Sequence, residues 1–391
     1  MIKFEKALNI IKENTILLDT EEVELNESLN RVLRTQVLSD LDMPPFNKSA
    51  MDGYACRKDD IENELTVIET IPAGSRPQNV IGENQCAKIM TGAMMPEGAD
   101  CVIIVEEVDQ TRENKIKFTK EKTSDNICFI GEDVVEGQVL VESGIRITTK
   151  EIGAMALSGC VKPIVSLKPR VGIIATGNEI VEPHLVPDES QIRNSNASQL
   201  FAQALNFGCA PEYYGIVEDT PESIRNTVLK AKGENDLIIL TGGVSMGDFD
   251  LVPGILKELG FELFFEKVAV QPGKPTVFGR SDDKFVFGLP GNPVSTFIIF
   301  EVMVKELLAG MMGLEKYAKI FKAELAESIK RKKNVRLAWL PVMINENGTV
   351  EKVEYHGSAH ITSIAKADGL INITVGEFEI KKGTFIDVRQ F

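Results

Sequence analysis

The segment LTGGVSMGDFD, residues 240–250, holds the densest group of residues that could bind a phosphorylated substrate. A hydrophobic run delivers Gly242 and Gly243, and Ser245 and Asp250 follow before a predicted helix. Glycine lets backbone N–H groups approach an anion with no Cβ in the way, and a helix N-terminus adds its positive dipole end. Carboxylates in the same turn suit Mg²⁺, which commonly bridges a protein carboxylate and substrate phosphates. The pattern fits a magnesium-assisted phosphate site and, equally well, a tight βα turn with an aspartate N-cap.

Three further loops follow predicted strands with the same layout. Their polar residues are Glu179 in ATGNEI (175–180), Asp219 in GIVEDTPES (215–223), and Asn292 and Ser295 in GLPGNPVSTF (288–297). Asp219 could equally cap the helix that follows it. Ligands of open α/β sheets bind at the carboxyl ends of the strands, so four such loops on one sheet edge predict a ligand site.

A lysine in KVAVQPGKPTVFG (267–279) supplies a cation to this otherwise acidic set. Lys274 stands between Gly273 and Pro275, which presents its ammonium from a stiff turn. An oxyanion or phosphate is the natural partner of such a group, and a solvated surface lysine is the alternative.

The first part of the chain has three polar loops of similar style, MPPFNKSAMDGYAC (43–56), IMTGAMMPEGAD (89–100) and FIGEDVVEG (129–137). They offer Asp52, Thr91 and Asp133 within turns fixed by proline and glycine. Loops that combine a fixed backbone with polar side chains are more often functional than accidental. The residues alone do not place them near the strand-end loops.

The elements that must position these loops change character along the chain. Phe4 to Leu18 has apolar residues at helical spacing, which predicts an amphipathic helix. Short β-branched runs fill about 20–168, which predicts a β-rich subdomain at about 56–134 inserted into a longer framework. From Arg170, strand and helix patterns alternate up to about Gly313, which predicts a parallel sheet with helices on both faces. From about 317, strands return, with a hairpin turn at 345–348.

The expected architecture is therefore multidomain α/β plus β. It comprises an N-terminal region (1–168), a central three-layer doubly wound α/β domain (169–313) and a small all-β C-terminal domain (314–391). A length of 391 residues suits about two to four domains.

The overall charge excludes one class of function. With 43 Lys+Arg against 58 Asp+Glu, the net charge is −15 at pH 7. Nucleic-acid binding as the main task needs a basic face that releases counterions, so we do not expect it. No signal peptide is evident and no uncharged apolar run reaches the roughly 18–20 residues of a membrane span, so a cytoplasmic protein with reduced thiols is expected.

Taken together, the motifs SAMDGYA, TGA-x-x-P-EGAD, TGGVSMGD-x-D, QPGKP and GLPGNPVS resemble those of the molybdopterin molybdenumtransferase family, which includes MoeA and the gephyrin E domain. The order and spacing match the family over essentially the whole chain. The resemblance implies a central domain of the molybdopterin-binding type. It also implies the last step of molybdenum cofactor synthesis, in which adenylylated molybdopterin and molybdate react with Mg²⁺ to give the cofactor and AMP.

The resemblance further implies an elongated homodimer, with each active site between the middle domain of one subunit and the N-terminal region of the other. Molybdopterin adenylyltransferase and molybdoenzyme chaperones are further partners that it suggests. Roles carry over residue by residue. The resemblance implies metal and phosphoanhydride binding for Asp250, Glu179 and Asp133, with Asp52 joining the catalytic set. It implies molybdate binding for Lys274, Ser295, Ser245, Arg336 and Ser358, and the pterin-nucleotide side for Asp219, Thr91, Gly242 and Gly243. Pro275 and Asn292 are further expected cofactor-binding residues.

Three positions depart from the family pattern. Gln271 replaces a frequent second lysine, Asn178 stands where an acidic residue is common, and RLAWLP keeps Arg336 but lacks the usual glutamate and second arginine. Two alternatives remain, a molybdopterin adenylyltransferase, which the central part also resembles, and a non-catalytic gephyrin-like scaffold. The N-terminal motifs and the C-terminal β region argue against the first, and the retained acidic residues and lysine argue against the second.

Overall fold

A computed structural model describes residues 1–243, 251–354, 357 and 360–391. Three six-stranded sheets organise them, one from residues 53–118, one from 170–289 and one mainly from 319–390. Among these residues, no helix is long and apolar enough to cross a membrane.

The N-terminal sheet is an insertion within a framework of short strand pairs. Its strands lie in the order Cys101–Ile104, Gly53–Cys56, Gln85–Ile89, Glu64–Ile71, Lys115–Phe118 and Val108–Arg112. The framework pairs are Thr20–Glu22 with Ile164–Ser166, Val37–Leu38 with Val139–Val141, and Lys48–Ser49 with Ile127–Cys128. The helix Thr149–Leu157 packs beside this framework and begins with a Thr148–Glu151 capping box.

The central sheet carries the strand-end loops. Its order is Ala210–Val217, Arg170–Thr176, Leu237–Thr241, Lys284–Leu289, Val277–Ser281 and Glu262–Phe265. The first four strands are parallel, but the fifth, Val277–Ser281, runs antiparallel to both of its neighbours, so the expectation of a parallel sheet was wrong at this edge. The reason is a two-residue turn between Ser281 and Lys284, which can join only antiparallel strands.

Helices cover both faces of the central sheet, which confirms the three-layer α/β architecture. Alternate residues of one strand face opposite layers; Ile173 packs in one core and Ile174 in the other. The helices are Ser195–Asn206, Pro221–Glu234, Val252–Glu258, Pro293–Ile299 and Lys305–Met312, the last two joined by a π-helical turn, Phe300–Val304.

The N-terminal helix, Phe4–Asn14, packs into the central core instead of the N-terminal sheet. It ends four residues before the predicted Leu18. Thr15 is extended and the Leu18 N–H donates to the Met311 carbonyl, so a tertiary contact replaces the last helical turn.

The C-terminal sheet includes one strand from the middle of the chain. Val270–Gln271 pairs in parallel with Leu337–Ile344. The remaining strands are Gly369–Ile373, Phe385–Gln390, Lys319–Glu324 and Val350–Lys352, with Ile329–Lys330 and Glu379–Ile380 forming a separate pair. The predicted hairpin turn at 345–348 is confirmed, with Gly348 at φ +79°. The segment that holds Lys274 therefore runs directly from the C-terminal sheet into the central one.

Candidate active site

A cavity of about 560 Å³ lies where the central strands end, and we call it the strand-end cavity. Thr176 and Thr241 end two neighbouring parallel strands and line it. Gly242 belongs to the wall because its φ is +99° and a Cβ there would lie 2.2 Å from the Thr176 carbonyl oxygen. Glu179 lies exposed in the same lining. Three of the four predicted loops thus meet at this cavity: those of Gly242, Glu179 and Asn292.

The fourth predicted loop behaves differently. Asp219 does not cap the following helix, since the Thr220 hydroxyl accepts the Ser223 N–H. Instead the Asp219 N–H donates to the Asn178 Oδ1 at 3.4 Å. Asn178, the position that departs from the family pattern, therefore ties the Asp219 loop to the Glu179 loop.

A second cavity, of about 370 Å³, adjoins the first, and we call it the Lys274 cavity. Both cavities are lined by Pro275, Pro290 and Asn292, so they share a wall. Its other predicted residues are the exposed Lys274, the buried Ser295 and the half-buried Arg336. Two cations and a hydroxyl beside rigid proline turns suit a small oxyanion.

The backbone explains how this cation pair is held. Gly273 has φ +104° and approaches Ile299 so closely that a Cβ would lie 2.5 Å from its side chain. The Lys274 carbonyl accepts the Val268 N–H, and Arg336 Nη1 donates to the Val270 carbonyl at 3.2 Å. The junction between two sheets thus fixes the backbone of Lys274 and the guanidinium of Arg336.

In the N-terminal region, Asp52 and Thr91 contact each other directly. Asp52 Oδ1 accepts the Thr91 N–H at 2.7 Å and the Thr91 hydroxyl at 3.0 Å. These bonds lower the pKa of Asp52, the backbone bond contributing most, and favour the carboxylate. The pair sits at one end of the N-terminal sheet, because Gly53 is registered opposite Ile89.

Asp133 lines a third cavity, of about 700 Å³, in the N-terminal region. Lys48, Glu132 and Cys128 also line this Asp133 cavity. Asp133 and Glu179, both predicted for the metal, thus lie in different cavities of one subunit. Within the described ranges no group of three His, Cys, Asp or Glu residues could hold a metal ion.

The remaining predicted residues, Ser245, Asp250 and Ser358, lie outside the described residues. Gly357 beside Ser358 lines the Lys274 cavity, and Gly243 precedes the undescribed segment with φ +62°.

Four residues were missed by sequence reasoning: Thr176, Asn196, Lys48 and Arg331. Thr176 and Asn196 line the strand-end cavity, and Lys48 lines the Asp133 cavity. Arg331 Nη2 lies 3.5 Å from Gln271 Oε1 and 2.9 Å from the Arg336 carbonyl oxygen. Thr176 is adjacent to the ATGNE motif and Lys48 lies inside a polar loop, so position beside a motif was the available signal.

The fold and cavities define a multidomain protein whose central α/β domain has a cavity at its strand ends, next to a cation-lined cavity to which the C-terminal region contributes Arg336. Three family models match it in order: the MoeA N-terminal region (domain I and II) over residues 2–159, a probable molybdopterin binding domain over 172–310, and the MoeA C-terminal region (domain IV) over 322–391. The chain belongs to the MoeA family of molybdopterin molybdenumtransferases.

Relatives and solved structures agree with this assignment. A molybdopterin molybdenumtransferase of Staphylococcus epidermidis is 36% identical over 400 residues, covering 99% of this chain and 95% of that protein. One from Bacillus subtilis is 39% identical over 301 residues, covering 74% and 70%. The crystal structure of the molybdopterin biosynthesis MoeA protein from Pyrococcus horikoshii OT3 aligns with TM-score 0.88 at 30% identity, covering 100% of both chains.

Proposed function

We propose that this protein inserts molybdate into adenylylated molybdopterin and releases AMP. The main support for this function is the wall that the strand-end cavity and the Lys274 cavity share. The strand-end cavity, of about 560 Å³, offers polar backbone and apolar side chains to a pterin nucleotide, and the Lys274 cavity offers two cations to a dianion. The reaction needs both substrates in contact, and adjoining cavities supply that proximity.

Within this proposal, Lys274, Arg336 and Ser295 hold molybdate, with Ser245 and Ser358 completing the set. Pro275 and Asn292 line both cavities, so each would contact both substrates at the shared wall. Gly242, Gly243 and Asp219 are assigned to the pterin-nucleotide side. The Gly242 N–H already donates to the Leu289 carbonyl oxygen, so Gly243 is the glycine proposed to offer its N–H to the nucleotide phosphates. The cations offset the charge of molybdate where the phosphoanhydride is attacked.

Mg²⁺ fits the donor chemistry of the strand-end cavity, where Glu179 is exposed and offers carboxylate oxygens. Glu179 and Asp250 would hold the ion together with substrate phosphate oxygens, and it would offset charge on the phosphoanhydride. Asp133 is proposed for the same metal from a second copy of the chain.

The separation of the predicted residues supports a homodimer. Asp52, Thr91 and Asp133 belong to the N-terminal region and line neither the strand-end cavity nor the Lys274 cavity. A second copy would bring its N-terminal loops to the central domain of the first. We further propose that the chain divides into domains at 1–168, 169–313 and 314–391. Molybdopterin adenylyltransferase and molybdoenzyme chaperones are proposed as partner proteins.

Mixing two inactive variants tests the shared site. Asp52→Asn and Lys274→Ala, each as a homodimer, are expected to be inactive in molybdate-dependent AMP release. Half of the dimers in an equimolar, re-equilibrated mixture are heterodimers, each with one intact site, so about a quarter of wild-type activity should return. If mixing restores no activity while mass spectrometry shows heterodimers, the shared-site proposal fails.

The adenylyltransferase alternative predicts a different substrate pair. It requires ATP and molybdopterin and yields pyrophosphate, whereas the proposed reaction consumes neither ATP nor free molybdopterin. Pyrophosphate formation from ATP by the purified protein, without molybdate dependence, would favour that alternative.

A further inference from the structure

A small cavity of about 180 Å³ lies apart from the three cavities described above, and we call it the junction cavity. It shares no lining residue with any of them. Its basic residues come from three parts of the chain: Arg146 from the N-terminal framework, Lys305 from a central helix, and Lys319 and Arg389 from paired C-terminal strands. A ligand bound there would contact all three parts of the fold.

An aromatic pair gathers three of these cations. The rings of Phe207 and Tyr317 meet edge to face, with their centroids 5.7 Å apart. Arg146 Cζ lies 5.2 Å and Lys305 Nζ 5.4 Å from the centroid of Phe207, and Arg389 Cζ lies 5.0 Å from that of Tyr317. The rings attract each cation, but the cations repel one another, so the cluster needs negative charge nearby.

The protein supplies little of that negative charge. Among the described residues, Glu301 is the one acidic side chain in the lining, and its oxygens accept Lys305 Nζ at 2.5 Å and Gln203 Nε2 at 2.8 Å. Its charge therefore matches that of Lys305.

The two arginines have no such partner. Neither Arg146 nor Arg389 forms an ion pair with a carboxylate of the described residues, the terminal carboxylate of Phe391 included. Both side chains are half-buried, and burial lowers the pKa of Arg146. A charge removed from water without a counterion is unfavourable, so two such guanidinium groups in one cavity lining indicate a bound anion.

Both guanidinium groups are held in place by the backbone. Arg146 Nη1 donates to the Asn30 carbonyl at 2.9 Å and its Nη2 to the Phe207 carbonyl at 3.0 Å, and Arg389 Nη2 donates to the Glu301 carbonyl at 2.7 Å. A guanidinium has more N–H donors than these bonds use, so each group keeps donors for a ligand. Arginine forks fixed in this way suit the oxygen atoms of a tetrahedral anion.

We propose that the junction cavity binds a small tetrahedral oxyanion, phosphate or sulfate, through Arg146 and Arg389. Its volume of about 180 Å³ is below the range typical of cavities for drug-sized organic ligands, so an inorganic ion is the matching size. The anion neutralises the two guanidinium groups and ties the N-terminal framework to the C-terminal sheet. This site goes beyond the proposed function, because it lies outside both substrate cavities.

Titration calorimetry at constant ionic strength tests the site, with phosphate and sulfate as separate probes. The starting protein is the full-length Lys274→Ala variant, because the Lys274 cavity is itself proposed to hold an oxyanion. This protein should still bind one of the two anions, and the tighter of them is the ligand. Adding Arg389→Gln should weaken that binding by about tenfold, the change typical of losing one hydrogen bond between charged groups.

Lys322→Gln in the same background is the matched control. Lys322 is an exposed cation on the strand paired with that of Arg389, and it does not line the junction cavity. The substitution removes the same charge, so binding should stay within about twofold of that of the Lys274→Ala protein. Equal binding by the Arg389→Gln and Lys322→Gln proteins would overturn the proposal.

Urea unfolding followed by circular dichroism gives a second readout and shows whether each variant folds. A ligand that binds only the folded state raises the urea midpoint. Millimolar concentrations of the tighter anion should therefore raise the midpoint of the Lys274→Ala protein above its value in chloride of equal ionic strength. The rise should be smaller with Arg389→Gln added and unchanged with Lys322→Gln added; a rise of the same size with Arg389→Gln would count against the site.

A crystal soaked in selenate provides a test that needs no variant in the junction cavity. Selenate is a tetrahedral dianion of the same class, and the anomalous X-ray signal of selenium locates it directly. We expect selenium density between the guanidinium groups of Arg146 and Arg389. Selenate found only elsewhere in the molecule, with the junction cavity empty, would overturn the proposal and leave the proposed molybdate insertion unaffected.

Discussion

Gly242→Ala should damage both stability and turnover, because the turn at the end of the Leu237–Thr241 strand has no room for a methyl group. A Cβ there would lie 2.2 Å from the Thr176 carbonyl oxygen and 2.9 Å from Thr176 Oγ1. Ordinary carbon contacts are about 3.5 Å or longer, so the turn must move by roughly an ångström.

The cost has two parts. A non-glycine residue at φ +99° costs about 1–2 kcal/mol, and overpacking costs about 1–3 kcal/mol. We therefore expect the free energy of unfolding to fall by about 2–5 kcal/mol. An ångström shift in the cavity wall should also slow AMP release by about 100-fold.

Gly233→Ala is the matched control. Gly233 lies inside the helix Pro221–Glu234, and a Cβ there would meet nothing within 4 Å. Alanine should stabilise this helix by about 0.5–1 kcal/mol, the opposite sign.

Urea unfolding followed by circular dichroism measures the free energy of unfolding of each variant. AMP release, assayed without urea and at a low temperature at which the variants are folded, measures turnover. Wild-type stability and rate in Gly242→Ala would refute this reasoning.

Three further changes probe other parts of the account. Thr91→Val removes one of the bonds that lower the pKa of Asp52, so this pKa should rise and the acid limit of activity should move to higher pH, as NMR titration and a pH–rate profile can show. Gln271→Lys adds a cation to the lining of the Lys274 cavity, so the molybdate concentration for half-maximal AMP release should fall, by about threefold for a partly exposed charge. Lys305→Met leaves Glu301 as an unpaired buried carboxylate and should lower the free energy of unfolding by about 3–5 kcal/mol, most of which Glu301→Leu in the same chain should restore.

Local sequence patterns predicted the central domain well, because its strands and helices follow strong periodicity and capping rules. Thr220, for example, caps its helix as the Thr-Pro pair predicts. Local patterns failed where contacts between residues far apart in the sequence determine the secondary structure. The helix end at Asn14 depends on Met311, and the strand Val270–Gln271 exists only because Leu337–Ile344 lies beside it.

The same distinction applies to the site. Gly242, Glu179, Lys274 and Ser295 were predicted from motifs that follow strands or form stiff turns, and the structure places all four in the linings of the two adjoining cavities. Asn196 was not, because its role depends on the Gly291 carbonyl, which no local pattern connects to it. The separation of Asp133 from Glu179 likewise required the three-dimensional arrangement.

Counting products against substrates tests the central claim most directly. Purified protein would be incubated with adenylylated molybdopterin, Mg²⁺ and increasing molybdate, with AMP quantified by chromatography and molybdenum retained on the pterin by elemental analysis. We expect one AMP to be released for each molybdenum incorporated, and no AMP above background without molybdate. AMP release that is independent of molybdate, or molybdenum incorporation without AMP, would contradict it.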